Sequence, residues 1–176
     1  ESSVSAEAAL ACGFAASLEE RIRRTLSREL GDGADTWGQV VEGCGAVALH
    51  ESPLAGRMAI DGDRVECCDF FGTVVANTGL CQGIWVFEVL LETAGLAQLG
   101  VGTLDIKCTK EEGVGDSVNS FAFDGMRVKA WIHGQNPQPY GENWTRGDTI
   151  SCVLDLHHGT IRFFRNGIDL GIACSE

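Results

Sequence analysis

The alternation of apolar and polar positions is most regular near the end of the chain. Three short runs, Thr149–Leu156, Thr160–Arg165 and Ile168–Ala173, are rich in β-branched or aromatic residues and are bounded by turn-forming residues. Asn166-Gly167 separates the last two runs, and this dipeptide supplies the two positive φ angles of a type I′ turn. The pattern therefore predicts three consecutive antiparallel strands.

The clearest central strand is predicted at Gln82–Leu91, where Glu88 is the only polar residue after Gly83. A strand that is apolar on both faces is expected to be covered on both. The next run, Gly95–Leu104, is predicted to be an antiparallel partner strand. Other short strands are predicted at Ala46–Leu49, Arg64–Phe71, Thr73–Asn77, Asn119–Phe123 and Met126–Ile132.

These roughly ten strands without intervening helices predict an all-β fold, an antiparallel two-sheet β-sandwich. By their positions in the alternating pattern, eight residues are expected in its core: Trp85, Phe87, Val89, Ile150, Cys152, Leu154, Ile161 and Phe163.

The first 36 residues follow a different period. Ser17–Leu30 begins with a capping pattern, repeats leucine or isoleucine every fourth residue and meets Gly31, which predicts a helix. Val4–Phe14 is interpreted as a second helix packed against it. The chain is thus divided into an N-terminal helical extension, 1–36, and a β domain, 37–176.

Composition narrows the function classes. The net charge of −12 disfavours binding to nucleic acid or to anionic membranes, and no apolar run approaches the ~18 residues of a membrane span. The 8 cysteines contain no CxxC pair and mostly lie in apolar runs, which favours reduced thiols inside the cell. Because the chain does not begin with methionine, we expect it to be part of a longer protein.

Candidate catalytic and metal sites have weak support. Cys152 lies on the apolar face of a strand, unlike an activated nucleophile. His157-His158 lacks further ligands at the spacing of a zinc site. Glu111, Glu112 and Asp116 lack the alternating oxygen ligands of a calcium loop. We therefore predict no catalytic residue, no metal and no cofactor.

The aromatic residues outside the central strands are more informative. Trp131, Tyr140 and Trp144 fall at strand ends or in loops. Large amphipathic rings in such positions often form a binding surface, but they also cap the open end of a sandwich. Both interpretations stay open at this point. A rigid sandwich with recognition loops favours a binding module over an enzyme.

Four motifs carry a resemblance to a known family: GIWVFEVLL at 83–91, LAQLGVGT at 96–103, NSFAFDG at 119–125, and the segment 147–171. Over about residues 37–176 the chain resembles a SPRY domain, a β-sandwich of concanavalin-like jelly-roll type. Within the family it is similar to the subgroup found in RING-type ubiquitin ligases of the Kip ubiquitination-promoting type, including the plant relative. The EEGVGD segment distinguishes this subgroup.

Two departures from the family accompany this resemblance. The family carries tryptophan after the LG of the second motif, where this chain has Val101. SPRY domains also continue through another strand after the position of Glu176, so part of the peptide-binding rim is expected beyond residue 176.

The resemblance implies a protein–protein interaction module that recognises a substrate or partner of a cytoplasmic E3 ubiquitin ligase acting in protein degradation. The RING would lie elsewhere in the longer protein. The partner would dock on a rim built by the 107–123 and 133–146 loops, whose acidic residues favour a basic or amide-rich peptide. The alternatives are a scaffold domain of another intracellular assembly and, less favoured, a glycan-binding lectin. The expected contact residues are Asp116, Asn119, Arg127, Trp131, Tyr140 and Trp144.

Overall fold

A computed structural model describes residues 47–80, 83–103 and 106–175, together with the backbone of residues 7–10. The described residues form thirteen strands. They are β1 (Glu7–Leu10), β2 (Leu49–Glu51), β3 (Met58–Asp61), β4 (Arg64–Cys67), β5 (Val74–Ala76), β6 (Ile84–Leu91), β7 (Leu99–Gly102), β8 (Ser120–Asp124), β9 (Lys129–Ile132), β10 (Gln138–Pro139), β11 (Thr149–Asp155), β12 (Thr160–Arg165) and β13 (Ile168–Ser175).

Two sheets make up most of the fold. The large sheet has seven strands in the order β13-β12-β11-β6-β1-β4-β3, and the small sheet has four in the order β10-β9-β8-β7. β2 and β5 form a separate two-stranded sheet. All paired strands are antiparallel. The predicted all-β, antiparallel sandwich is confirmed.

The hydrophobic core lies between the large and small sheets. Its centre is formed by Phe123 of β8 and Phe163 of β12, both fully buried, with ring centroids 5.3 Å apart. Val89 of β6 and Ile150 of β11 pack into the same cluster. Among the residues predicted for the core, Phe87 and Leu154 are partly buried against this cluster, and Trp85 is half-buried.

The central strands of the large sheet are buried on both faces, as the run at 82–91 predicts. Val89 and Leu91 face the core, whereas Ile84 and Glu88 alternate with them and are also buried. Glu88 accepts a hydrogen bond of 2.6 Å from the hydroxyl of Ser151 on the neighbouring strand β11. This bond satisfies a carboxylate oxygen that burial removes from water.

The predicted hairpin after β12 is confirmed. Asn166 and Gly167 have φ angles of 50° and 73°, as a type I′ turn requires. The turn is fixed to the segment before β11 because Asp148 accepts hydrogen bonds from Asn166 Nδ2 at 2.7 Å and from Arg165 Nε at 2.8 Å. Burial alone would raise the pKa of Asp148, but the hydrogen bonds from Asn166, Thr145 and Arg165 outweigh it and lower the pKa.

Four elements differ from the sequence prediction. Residues 7–10, interpreted as helix, form strand β1 and pair with β4 and β6, so the large sheet includes a strand from the segment assigned to the helical extension. β7 does not pair with β6 but joins the small sheet beside β8. β3 was not predicted, and neither was the short strand β10, which lies in the predicted 133–146 loop. The helix predicted at Ser17–Leu30 lies outside the described residues.

We expect Phe163→Ala to lower the free energy of unfolding by about 3–5 kcal/mol, because it removes a fully buried ring from the centre of the core. The matched control is Phe70→Ala, since Phe70 is fully exposed in the loop between β4 and β5 and its removal should change stability by less than about 0.5 kcal/mol. Denaturant titration measures both. A similar loss in the two variants would contradict the assignment of the core.

Candidate functional site

A long loop, residues 106–118, reaches the outer face of the small sheet, the face turned away from the core, at Gly115. Trp131 of β9 is directly opposite Ala122 of β8 in the sheet register. At Gly115 the loop touches both residues, because an added Cβ there would be 2.7 Å from Trp131 Cβ and 2.9 Å from Ala122 Cβ. Gly115 also has a φ of 96°. A glycine is therefore needed where the loop crosses the sheet.

Hydrogen bonds within the loop fix its shape. Asp116 Oδ2 accepts a 2.9 Å bond from the Gly113 N–H. The Thr109 hydroxyl accepts bonds from the N–H groups of Glu111 and Glu112, at 3.2 and 3.1 Å. Asp116 is half-buried and shapes the turn, while Glu111 and Glu112 are exposed. The acidic charge presented to solvent by this loop comes chiefly from the two glutamates.

The two loops predicted to form the rim do meet. The Gly134 N–H donates to the Gly115 carbonyl at 3.1 Å, and His133 Nδ1 lies 2.7 Å from the Val118 carbonyl. Asn119 stands at the end of the first loop, where its carbonyl accepts a 2.9 Å bond from the Thr103 N–H. The contact involves only the beginning of the second loop.

An arginine is held over a tryptophan on the same outer face. The guanidinium carbon of Arg127 lies 4.2 Å from the ring centroid of Trp131, within cation–π distance. Its Nε–H also donates to Asp124 Oδ2. Asp124 is fully buried, and its other oxygen accepts hydrogen bonds from the backbone N–H groups of Met126 and Arg127 at 2.9 and 3.0 Å. The buried carboxylate thus orients an exposed guanidinium.

Tyr140 and Trp144 lie elsewhere, in the segment between β10 and β11, and their rings pack with the core. Trp144 is only 5% exposed and packs on Phe123 with centroids 5.0 Å apart. The Tyr140 hydroxyl donates to the Gly171 carbonyl at 2.8 Å and accepts from the Phe163 N–H at 3.2 Å. Both rings therefore fit the capping interpretation that the sequence left open. Their role as contact residues stays a prediction.

Four of the six predicted contact residues lie on or beside the outer face: Asp116, Asn119, Arg127 and Trp131. The sequence analysis missed two exposed apolar neighbours in the adjoining loops, Val118 and Met126, which are 69% and 55% exposed. We define the outer-face patch as Asp116, Val118, Asn119, Met126, Arg127 and Trp131.

The chemistry of the remaining polar groups does not indicate an active site. Cys152 is buried, and burial raises the pKa of its thiol well above the usual range, which disfavours the nucleophilic thiolate. His158 Nδ1 lies 2.8 Å from Asp155 Oδ2. The same carboxylate also accepts hydrogen bonds from the backbone N–H groups of His157 and His158, so it fixes the turn. Within the described ranges, no three His, Cys, Asp or Glu side chains gather as a metal-binding group.

The part of the chain that the structure describes contains no helix with the length and apolar character needed to cross a membrane.

Comparison with known proteins assigns the family. The sequence pattern of the SPRY domain matches residues 84–176, from β6 through the end of the chain. The chain belongs to the SPRY domain family. It is also 40% identical over 130 residues to the E3 ubiquitin-protein ligase RKP of Arabidopsis thaliana, an alignment that covers 74% of this chain and 9% of RKP. This SPRY domain thus spans a small part of that relative's length.

The departure at Val101 affects the interior of this SPRY domain. Val101 of β7 is opposite Phe121 in the sheet register and packs, partly buried, against the core. A smaller residue at this position therefore changes packing between the sheets, while the outer-face patch lies on the opposite side of the same strands.

The single tyrosine allows a direct test of its buried hydroxyl. Burial is the largest of several effects on the pKa of Tyr140, and it raises this pKa well above its usual value. We expect the ultraviolet absorbance of tyrosinate to appear only well above pH 10 in the folded domain, and near pH ~10 in denaturant. Because the unfolded chain then loses its proton first, the free energy of unfolding should fall as the pH rises above about 10.

Tyr140→Phe should abolish the tyrosinate signal and reduce this pH dependence, leaving the part that comes from the buried Cys152 thiol, whose pKa burial also raises. The substitution should cost about 1–3 kcal/mol, since it leaves the Phe163 N–H and the Gly171 carbonyl without their hydroxyl partner. Ionisation of the folded protein near pH ~10 would show that the hydroxyl is accessible to water, as a contact residue would be.

Proposed function

We propose that this SPRY domain is the substrate- or partner-recognition module of a RING-type E3 ubiquitin ligase and docks its partner on the outer-face patch. The observation that carries the proposal is the Arg127 guanidinium, which buried Asp124 holds over Trp131 at an exposed surface. The ligase activity would come from a RING elsewhere in the longer protein, acting in ubiquitin-dependent protein degradation in the cytoplasm. The similarity to RKP supports this assignment.

The energetics of interfaces support the patch as a docking site. Arginine and tryptophan are enriched among the residues that dominate binding energy. An arginine already fixed by an ion pair and a stacking contact loses less conformational entropy when a partner binds. The exposed side chains of Val118 and Met126 add apolar area on either side. A partner that covers them would remove this area from water.

The charge of the surroundings suggests the class of partner. Glu111 and Glu112 are exposed in the 106–118 loop, where the exposed Lys107 and Lys110 partly offset their charge, and the whole chain carries a net charge of −12. A basic or amide-rich peptide would be attracted to this surface, with an association rate that falls as the salt concentration rises. The −12 charge equally disfavours nucleic acid and anionic membranes as partners.

Of the other predicted contact residues, Tyr140 and Trp144 would affect the patch indirectly, and Asn119 would lie at its margin. Tyr140 and Trp144 pack on Phe123, whose neighbour in the chain is Asp124, so they would support the patch through the position of β8. Asn119 lies where the 106–118 loop enters β8 and would contact the partner from the loop side.

The test compares two arginines that are each paired with a carboxylate. Arg127→Ala removes the proposed anchor, whereas Arg64→Ala removes an exposed arginine that is paired with Glu92 at 2.7 Å on the large sheet. Proteins captured by the wild-type domain are quantified for each variant, and affinity for the captured partner is then measured. We expect Arg127→Ala to weaken binding about tenfold or more, which is about 1.4 kcal/mol, and Arg64→Ala to leave it unchanged.

Melting curves by circular dichroism establish that both variants are folded. The captured partner should also be ubiquitinated by the full-length ligase, and this modification should be lost with Arg127→Ala. A partner that binds but is never modified would favour a scaffold domain. Equal affinity of both variants and the wild type would rule out the outer-face patch.

A further inference from the structure

The large sheet is buried on the face turned away from the core as well as on its core face. In β11, Ile150 and Cys152 belong to the core cluster, so Ser151 and Val153 point away from it by the period of two. These two residues are nevertheless 0% and 2% exposed. Phe164 of β12 is opposite Ser151 in the register and is also fully buried. A further layer must therefore cover this face.

The buried face combines apolar area with a few polar groups. Glu88, which binds the Ser151 hydroxyl, and Arg162, which pairs with Asp169 at 2.5 Å, are both 7% exposed. Charged side chains this deeply buried need partners and a cover that excludes water. We define the back face as six residues of β6, β11 and β12: Ile84, Glu88, Ser151, Val153, Arg162 and Phe164.

The described strands do not supply this cover. The small sheet lies on the core side, and every other described strand except β2 and β5 belongs to the large sheet itself. The two-stranded sheet is joined to the 106–118 loop, because Leu54 bridges Thr109 and the Ser52 hydroxyl donates to the Cys108 carbonyl at 3.2 Å. That loop reaches the opposite side of the sandwich. The cover therefore comes from outside the described strands.

The part of the chain that lies outside the described residues starts beside this face. β1 ends at Leu10, which is opposite Val89 of β6, one of the three back-face strands. Residues 11–46 follow before the described chain resumes at Val47. The stretch from Leu10 to Leu18 can reach at most ~26 Å, whereas three strands ~4.8 Å apart are only ~10 Å wide. A segment that begins at Leu18 can thus lie anywhere on the back face.

The helix predicted at Ser17–Leu30 has the apolar stripe that such a face requires. Leu18, Ile22, Leu26 and Leu30 repeat every fourth residue. At 1.5 Å per residue the stripe would be ~18 Å long, enough to cross the three strands. In water alone this stripe would have nothing to pack against, and helices of this length depend on such packing for stability.

The charges of the segment fit the same orientation. By the helical period, Glu19 and Glu29 fall on the side of the stripe, near its two ends, whereas Arg21 and Arg24 fall on the other side. A glutamate beside the stripe is complementary to the buried Arg162, and the two arginines would remain in water. The pattern of charge therefore directs the apolar stripe towards the sheet.

We propose that the segment Ser17–Leu30 is a helix that packs its apolar stripe on the back face of the large sheet. Ile22 and Leu26, at the centre of the stripe, contact Val153 and Phe164. The inference does not rest on the proposed function. It makes the N-terminal segment a third layer of the domain instead of an extension to it, because the sheet would expose apolar side chains to water without this layer.

The test places a thiol on the back face by Val153→Cys in the chain of residues 1–176. Native Cys152 faces the core and is 1% exposed, and native Cys68 is exposed, so these two report an intact core and an open surface. Labelling by iodoacetamide is followed at each thiol by peptide mass spectrometry. We expect the introduced thiol to react about tenfold more slowly than Cys68, or slower still.

Ile22→Asp/Leu26→Asp should raise the labelling rate of the introduced thiol about tenfold while Cys152 stays protected, since carboxylates on the stripe cannot pack on an apolar face. The matched control, Arg24→Asp/Ser27→Asp, puts the same two side chains on the opposite side of the predicted helix and should leave the rate unchanged. Fast labelling before any change in the helix would overturn the inference, because the face would then be open in this chain. Slow labelling in all variants would overturn it as well.

A second measurement does not depend on the stability of these variants. A benzophenone side chain in place of Leu26 should form photochemical crosslinks to peptides of β6, β11 or β12, and the same side chain in place of Arg24 should not. If Ile22→Asp/Leu26→Asp also exposes Cys152, that variant has unfolded and the crosslinks decide. Crosslinks from position 26 to other parts of the chain alone, or none, would refute the packing.

Discussion

The contact between Phe123 and Phe163 joins the two sheets, and much of the structure depends on it. Both rings are fully buried, and Tyr140, Trp144 and Phe121 pack around them edge-on or stacked. The rings come from β8, from β12 and from the segment between β10 and β11, so the cluster links parts of the chain that are distant in sequence. Aromatic pairs of this kind are stabilised by geometry as well as by burial.

The position of the outer-face patch depends on the same strands that carry the core rings. Successive side chains of β8 alternate between the faces of the small sheet, so Phe121 and Phe123 enter the core while Ala122 and Asp124 lie on the other side. The position of the core rings therefore sets the position of the carboxylate that orients Arg127. A loss of packing at Phe123 would displace Asp124 as well, so the orientation of Arg127 would be disturbed together with stability.

Local sequence patterns predicted what depends on neighbouring residues. The Asn166-Gly167 turn and the alternation in β6, β11 and β12 were predicted because turn geometry and strand period are local properties. The pairing of β7 with β8 and the insertion of β1 between β4 and β6 were missed, because they join distant segments. Short runs such as Glu7–Leu10 carry too few positions to distinguish a strand from a helix.

The candidate site shows the same division. Arg127 and Trp131 were selected by residue type, and their contact follows from the turn after β8. The exposed Val118 and Met126 were missed because apolar residues carry no sequence mark of exposure. Tyr140 and Trp144 were placed in loops correctly, but a loop position does not show whether a ring points outward or into the core.

The burial of Asp124 has a consequence for selectivity. Its carboxylate is fully buried and relies on the Arg127 side chain and two backbone N–H groups. An incoming acidic group that drew the guanidinium away would leave a buried charge partly uncompensated, at a cost of several kcal/mol. Carboxylate ligands are thus penalised at a surface arginine that would ordinarily attract them, while flat apolar or amide groups can stack on the guanidinium without disturbing its ion pair.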